Sequence, residues 1–210
     1  MILLRVIPIL LCLTVHELAH GVAALALGDD TAKRLGRITL NPIKHIDPIG
    51  GLMLLFVGFG WAKAVPVNMD NFRNPKMGMA LTALAGPMSN FLFALLIAIF
   101  QVPLFRLLHG GGLGNYVGEL LFFTIQINVI LGIFNLVPIP PLDGSKIVFS
   151  FLRDSHYELL MQYERFGFLL LFALIFWGGG LTGGPLLDIM SATFQWVFDV
   201  TRGLSRFLFL

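Results

Sequence analysis

Two histidines and a glutamate interrupt an apolar run near the N-terminus. The stretch LTVHELAHGV, residues 13–22, holds His16, Glu17 and His20 in the pattern H-E-x-x-H. Residues i and i+4 of a helix lie on one face, so the two imidazoles can bind one zinc ion together. A glutamate directly after the first histidine can accept a proton from water at the metal without being a ligand. The pattern predicts zinc-dependent hydrolysis, with one Zn2+ per chain.

These side chains also have a structural explanation, as core histidines hydrogen-bonded to neighbouring helices. An ionisable side chain near the centre of a bilayer span costs about 2.5–3.5 kcal/mol on insertion scales. If the run spans a membrane, unpartnered polar groups are therefore unfavourable there, and a bound metal would offset that cost. A membrane location thus favours the metal site over the structural explanation.

A third zinc ligand must come from elsewhere in the chain, because catalytic zinc usually takes three protein ligands and leaves its fourth position to water. The candidates are the acids and the remaining histidines, His45, His109 and His156. Asp143 is the best of these, because it follows closely spaced prolines at which a helix must break, and Gly144 leaves space beside it. The alternative is that Asp143 caps a helix that begins at Gly144, which is a common role of aspartate.

The composition indicates that these residues lie in a membrane protein. The 210 residues are 57% hydrophobic and only 12% charged, and the mean hydropathy is +0.85. Soluble domains average roughly 25% charged residues. The apolar runs are long and do not alternate, which predicts membrane-embedded helices. The net charge of +2 argues against nucleic acid as a partner, and the single cysteine, Cys12, excludes an internal disulfide.

We predict an all-α polytopic membrane protein, a single domain over residues 1–210 with four to five transmembrane helices. Three core segments are expected, at about 4–27, 77–101 and 115–153. Two C-terminal helices are expected, at about 157–177 and 186–209. The hydropathy pattern leaves open whether the last run crosses the membrane or lies along it.

The first apolar run also has features of a secretory signal peptide. Arg5 would be its charged end, residues 6–15 its apolar core and residues 24–26 a small-x-small cleavage site. The apolar run resumes after His20, however, and the whole stretch is then long enough to span a bilayer. We therefore expect a first transmembrane helix here.

Residues 51–67 are apolar but too short and too rich in glycine for a spanning helix. They are predicted to form a re-entrant or interfacial hairpin-like segment. Such a segment is tolerated at membrane depth only where protein or a water-filled cavity satisfies its backbone. It could pair with an unwound substrate by edge addition. Packing against the second span explains the same glycines.

Lysine and arginine residues gather on one side of the predicted spans. Loop 28–76 carries seven and segment 138–157 adds two, whereas the opposite side has only Arg5 and Arg106. The positive-inside rule then predicts that loop 28–76 and segment 138–157 are cytoplasmic and that the N-terminus is outside. The expected location is the plasma membrane, with multiple passes.

Three stretches together resemble the three signatures of the site-2 protease family, in the same order. These are HELAH at 16–20, AGPMSN at 85–90 and NLVPIPPLDG at 135–144. The likeness covers about residues 4–153. Members of this family are intramembrane zinc metalloproteases that cut transmembrane segments. The resemblance therefore implies an endopeptidase that acts on single-span membrane proteins.

The resemblance also implies roles for particular residues. It identifies three zinc ligands: His16, His20 and Asp143. It implies that Glu17 is the general base, and that Asn90 and Asn135 face the site and hold substrate backbone or the developing oxyanion. From the residues alone, Asn90 and Asn135 are amides in apolar runs that need partners, and a helix–helix hydrogen bond would satisfy them equally well. Gly86 is expected to allow close approach of two helices.

A second polar pair, His45 and Asp47, lies in KHIDPIG at 44–50. It could supply an extra metal donor or part of a gate. Because it precedes a Pro-Ile-Gly-Gly turn, local hydrogen bonding is favoured. We therefore predict local hydrogen bonding for His45 and do not assign it to the metal. The sequence around it resembles the short, compact bacterial branch of the family, which implies a structural role near the site.

The chain resembles the short, compact bacterial branch of the family. It shows no span before the H-E-x-x-H helix and no polar insertion long enough for a PDZ or nucleotide-sensing domain. Regulation is then expected from partners, from substrate unfolding or from homo-oligomerisation. Two other functions stay open: a membrane metal-binding or transport protein that uses the same histidines, and a catalytically silent homologue that binds transmembrane helices. The intact Glu17 and the lack of a visible inverted repeat favour the protease.

Overall fold

The structure is a computed structural model that describes residues 2–57, 60–107 and 112–167. Isolated positions follow at 169, 171, 173, 192, 195, 196, 199 and 203. Within these ranges the chain forms helices and loops, and strand pairing is limited to one isolated bridge. This confirms the all-α prediction. His109, most of the run to residue 177 and nearly all of the run at 186–209 lie outside the described residues.

Seven α-helices are assigned in the described ranges. They are α1 (Ile2–Ala26), α2 (Thr31–Arg34), α3 (Pro48–Val57), α4 (Pro75–Leu107), α5 (Gly112–Asn135), α6 (Asp143–Phe149) and α7 (Asp154–Tyr163). Short 3-10 turns lie at Pro42–His45, Met69–Asn71 and Glu164–Phe166. The continuous α1 includes the whole H-E-x-x-H motif, so both histidines share one helix face.

Three of these helices contain segments long and apolar enough to cross a bilayer, at Val6–Ala26, Pro75–Gln101 and Gly114–Asn135. About 20 apolar residues are needed for this, at a rise of about 1.5 Å per residue. The three segments agree with the predicted core spans and confirm a polytopic membrane protein. The single-domain assignment stays a prediction.

Helix α4 packs against both α1 and α5, which also contact each other. Its Ala94 and Ala98 form a buried cluster with Ile125 and Val129 of α5. Small residues let two helix backbones approach closely, which is how membrane helices gain packing energy without a hydrophobic driving force. The result is a tight three-helix arrangement in which α4 can reach the motif on α1.

The predicted hairpin-like segment consists of a helix and a non-helical return. Helix α3 forms its first half, and residues 60–67, here called the return segment, run back beside the start of α3. Ala62 pairs with Ile46 in an antiparallel bridge. A Cβ added at Gly50 would lie 2.2 Å from the carbonyl oxygen of Trp61, so only glycine permits this approach. Its depth in a membrane stays a prediction.

The chain between α5 and α6 turns sharply through the proline-rich stretch, and α6 then begins at Asp143. A Cβ added at Gly144 would lie 2.1 Å from the carbonyl oxygen of Leu136. Glycine at this position therefore lets the first turn of α6 pack directly on the end of α5. This close packing sets where Asp143 lies.

Candidate metal centre

Three side chains that are distant in the sequence meet in the protein interior. The Nε2 atoms of His16 and His20 lie 3.0 Å apart. Asp143 Oδ2 lies 3.1 Å from Nε2 of His16 and 3.2 Å from Nε2 of His20. All three residues are buried. The predicted ligand set is therefore brought together as a triangle of two nitrogens and one oxygen.

The triangle fits a zinc ion. Ligand atoms about 2.0–2.1 Å from a tetrahedral zinc lie about 3.3 Å from one another, close to the three observed separations. A hydrogen bond joins one donor to one acceptor in a nearly straight line. Hydrogen bonding alone therefore does not favour three atoms at nearly equal distances from one another. Within the part of the chain that the structure describes, these three residues are the one group of histidine, cysteine or acidic side chains that could hold a metal ion. Two imidazoles and a carboxylate are also ligands that zinc prefers.

The orientation of His20 is set by a contact that the sequence did not reveal. Its Nδ1 lies 2.7 Å from the carbonyl oxygen of Thr82 on α4. A carbonyl can only accept, so Nδ1 carries the proton and Nε2 keeps its lone pair for a metal. The sequence carries no sign of this contact, because every residue has a backbone carbonyl.

Gly86 explains why the second motif lies at this site. A Cβ added there would lie 2.4 Å from both Cε1 and Nε2 of His20 and 2.7 Å from Cε1 of His16. The absence of a side chain thus lets α4 pack directly on the two imidazole rings. The expected close helix approach is present, and it is made to the two histidines of the H-E-x-x-H motif themselves.

Asp143 does not act as a helix cap. The N-cap of α6 is Leu142, with no capping side-chain hydrogen bond, and the Asp143 carboxylate instead faces the imidazoles. Burial by itself would raise the pKa of Asp143, but electrostatic attraction to the adjacent His20 imidazole and hydrogen bonds with both histidines lower it below its ordinary value. The group is therefore a carboxylate, as metal binding requires.

Glu17 is held in place by a backbone group of the return segment. Its Oε2 accepts a hydrogen bond of 2.8 Å from the N–H of Val65, in the return segment. Glu17 is buried. The carboxylate of the motif is thus fixed by a residue 48 positions away, at a backbone group with no sequence signature.

A cavity of about 850 Å³ lies beside these groups, within the usual range of ligand pockets. His16, Glu17, His20 and Asp143 all line it. The rest of its wall is mainly apolar and comes largely from α1, α3, α4, α5 and the return segment. The three candidate metal donors and the glutamate therefore share one mostly apolar chamber.

The two asparagines of the motifs have different surroundings. Asn135 lines the cavity, and its Nδ2 donates to the carbonyl of Leu131 at 2.9 Å. Asn90 is fully buried, is absent from the described cavity wall and has no hydrogen-bond partner in the described structure. The structure thus brings Asn135 to the chamber and leaves Asn90 inside the helix packing.

His45 is buried on the cavity wall, and its Nε2 lies 2.9 Å from the carbonyl oxygen of Thr39. Its own carbonyl accepts from the N–H of Lys63 at 2.9 Å. It is not part of the donor triangle, and its structural role stays a prediction. His156 is exposed.

Comparison with known proteins identifies relatives along most of the chain. The model of "Peptidase family M50" matches residues 113–177. "Putative zinc metalloprotease YwhC" of Bacillus subtilis (strain 168) is 40% identical over 205 residues, covering 90% of this chain and 92% of the relative. "Putative zinc metalloprotease Rip2" of Mycobacterium tuberculosis (strain ATCC 25618 / H37Rv) is 26% identical over 201 residues, covering 94% and 73%. No solved structure matches.

Proposed function

Since this chain belongs to peptidase family M50, the site-2 proteases, we propose that it hydrolyses peptide bonds within or near transmembrane segments of other membrane proteins. Membership of the family makes it a zinc metalloprotease. One observation carries the intramembrane step: the donor triangle and Glu17 line one chamber among helices that are apolar enough to span a bilayer. A catalytic site placed there would meet substrate segments that lie in the membrane.

His16, His20 and Asp143 would hold the ion. Zinc, when bound, supplies Lewis-acid chemistry: it acidifies water and polarises a carbonyl. In the proposal, Glu17 takes a proton from the attacking water and returns it to the leaving amine. Oε2 of Glu17 is engaged by Val65, which leaves Oε1 as the atom for this proton.

The amide side chain of Asn135 would contact substrate backbone or the developing oxyanion from the cavity wall. Its Nδ2 already donates to Leu131, so this role requires that bond to be shared or exchanged. For Asn90 to have the same role, its side chain would have to move to the cavity, because Asn90 is buried and does not line the described wall. Asn135 is therefore the better supported of the two.

The substrate must unwind locally, because an intact helix hides its peptide bonds from attack. The return segment would then offer backbone groups for edge addition, which satisfies polar groups that lipid cannot. Four backbone groups of residues 63–65 already have partners inside this chain. Edge addition would therefore have to use other groups of the segment.

The cellular setting belongs to the same proposal. We expect one zinc ion per chain and single-span membrane proteins as substrates. We also propose residence in the plasma membrane, and the charge distribution supports an orientation with loop 28–76 and segment 138–157 cytoplasmic and the N-terminus outside. Labelling of single cysteines introduced on either side of the spans would test this orientation.

Cleavage by Glu17→Gln and wild-type protein in liposomes tests the proposal. Both would meet single-span substrates that carry helix-breaking residues, and zinc content would be measured for each. We expect wild type to cut, and the variant to keep zinc but lose cleavage. The amide oxygen of glutamine can still accept the hydrogen bond from Val65, but glutamine cannot take the proton from water. If both bind zinc and neither cuts, the metal-binding or transport alternative is favoured.

A further inference from the structure

Arg37 is a buried cation without a carboxylate at salt-bridge distance in the described structure. Its Nη2 donates to the carbonyl oxygens of Lys63 at 2.7 Å and Ala64 at 3.3 Å. Its Nε is also buried and has no partner there. Buried charges are normally paired with an opposite charge, whereas the described hydrogen bonds of Arg37 all go to backbone carbonyls.

Arg37 and Glu17 both hydrogen-bond to the peptide unit between Ala64 and Val65. The carbonyl of this bond accepts from Arg37, and its N–H donates to Glu17 Oε2 at 2.8 Å. A peptide unit is planar and nearly always trans, so its carbonyl and N–H point in opposite directions. One rigid plane therefore joins the guanidinium on one side to the carboxylate on the other.

Two physical effects follow from this arrangement. Arg37 restricts rotation of the plane, because it also binds the preceding carbonyl of Lys63. A positive charge at the carbonyl also polarises the amide, which strengthens the N–H as a donor. Both effects act on the position of the Glu17 carboxylate.

We propose that Arg37 is a positioning residue for Glu17, acting through the peptide bond between Ala64 and Val65. The proposal rests on the proposed function, in which Glu17 is the general base. A misplacement of about 1 Å in a reacting group can cost on the order of 100-fold in rate. Arg37 would thus contribute to turnover without contacting substrate or metal.

A purely structural role for Arg37 makes a different prediction. If it only ties its loop to the return segment, its loss would lower stability, zinc content or substrate affinity together. A positioning role lowers kcat and leaves KM and zinc content near wild type, because only the reacting geometry changes.

The test compares Arg37→Met, which keeps the apolar stem, with Arg37→Lys, which keeps the charge. Arg34→Met is the matched control, since Arg34 is exposed and forms a surface pair with Asp30. Each would be assayed for kcat and KM on a cleavable single-span substrate, for zinc content and for thermal unfolding. We expect Arg37→Met to lower kcat about 10- to 100-fold with KM within about twofold, Arg37→Lys to recover part of it, and the control to match wild type.

Amide hydrogen exchange gives a second readout that does not depend on activity. Exchange at Val65 should be faster in Arg37→Met than in Arg34→Met, with or without added zinc. Combining Arg37→Met with Val65→Pro, which removes the N–H, should lower kcat no further than Val65→Pro alone, because both changes act on one contact.

Three results would overturn the proposal. Unchanged kcat and Val65 exchange in Arg37→Met would do so, as would loss of zinc in that variant or full additivity with Val65→Pro. Failure of the proposed function looks different: wild type loaded with zinc would not cut, or Glu17→Gln would cut equally well. In that case Glu17 is not a general base, and the positioning role of Arg37 is refuted together with the proposed function.

Discussion

Gly86→Ala should damage the metal centre although it changes no ligand. The new Cβ would lie 2.4 Å from Cε1 and Nε2 of His20 and 2.7 Å from Cε1 of His16. Carbon atoms in contact normally lie about 3.5–4.0 Å apart. Either α4 or the imidazole rings must therefore move by about 1 Å.

A displacement of this size exceeds the tolerance of a zinc site, where ligand distances vary by about 0.2 Å. Moving α4 would also pull the Thr82 carbonyl away from Nδ1 of His20, now 2.7 Å away. Loss of such an orienting contact alone typically lowers metal affinity about 10- to 100-fold. We therefore expect at least about 100-fold weaker zinc binding and a loss of about 1–3 kcal/mol in stability from overpacking.

The assay is competition for zinc with a chelating dye in detergent, together with thermal unfolding. Gly132→Ala is the matched control, because Gly132 is also packed between helices but the three atoms nearest its Cβ would all belong to the ring of Phe91. The control should lose some stability and keep its zinc affinity. Both substitutions replace glycine within a helix, so their intrinsic helix propensities change equally.

The sign of the effect makes this prediction sharp. By helix propensity alone, alanine in place of glycine would stabilise a helix by roughly 1 kcal/mol. If Gly86→Ala bound zinc like wild type and were more stable, α4 would not pack on the histidines as described. The assignment of the second motif to the metal site would then be refuted.

Two further predictions concern the acids. Asp143→Asn keeps the shape of the side chain but removes its charge, so zinc affinity should fall roughly 100-fold or more in the same dye competition, and wild-type affinity would exclude Asp143 as a ligand. Burial alone would raise the pKa of Asp29, but hydrogen bonds from Thr31, Asn71 and Asn68 lower it below its ordinary value of 3.8. The stability contributed by this carboxylate is therefore complete above pH 3.8 and is lost as pH falls further. The difference in Tm between wild type and Asp29→Asn should then shrink below that pH. A difference in Tm that stays constant would contradict this.

Several features of the fold followed from local sequence. The three core spans follow from the length of their apolar runs, which needs no knowledge of neighbouring segments. The shared face of His16 and His20 follows from helical periodicity. The helical first half of the segment at 51–67 does not follow from its sequence, which is short and rich in glycine. Its shape depends on the contact of Gly50 with the backbone at Trp61.

Asn90 shows the limit of arguing from an isolated polar residue. An amide in an apolar run indicates only that the side chain needs a partner, and the resemblance placed it at the site. In the structure it is buried within the helix packing and does not line the described cavity. The face of α4 that meets the chamber is set by how α4 packs on α1, which is not a local property.

By itself, then, the sequence determined the membrane helices, the histidine pair and its companion glutamate, because periodicity and hydropathy are local. Tertiary structure alone decided that Asp143 meets His16 across 127 residues, that the Thr82 carbonyl orients His20 across 62, and that an N–H in the return segment holds Glu17 across 48. Two of these three contacts use backbone groups, which every residue carries and no side-chain pattern reveals. Only the packing of α4, α6 and the return segment against α1 selects which of those groups reaches the site.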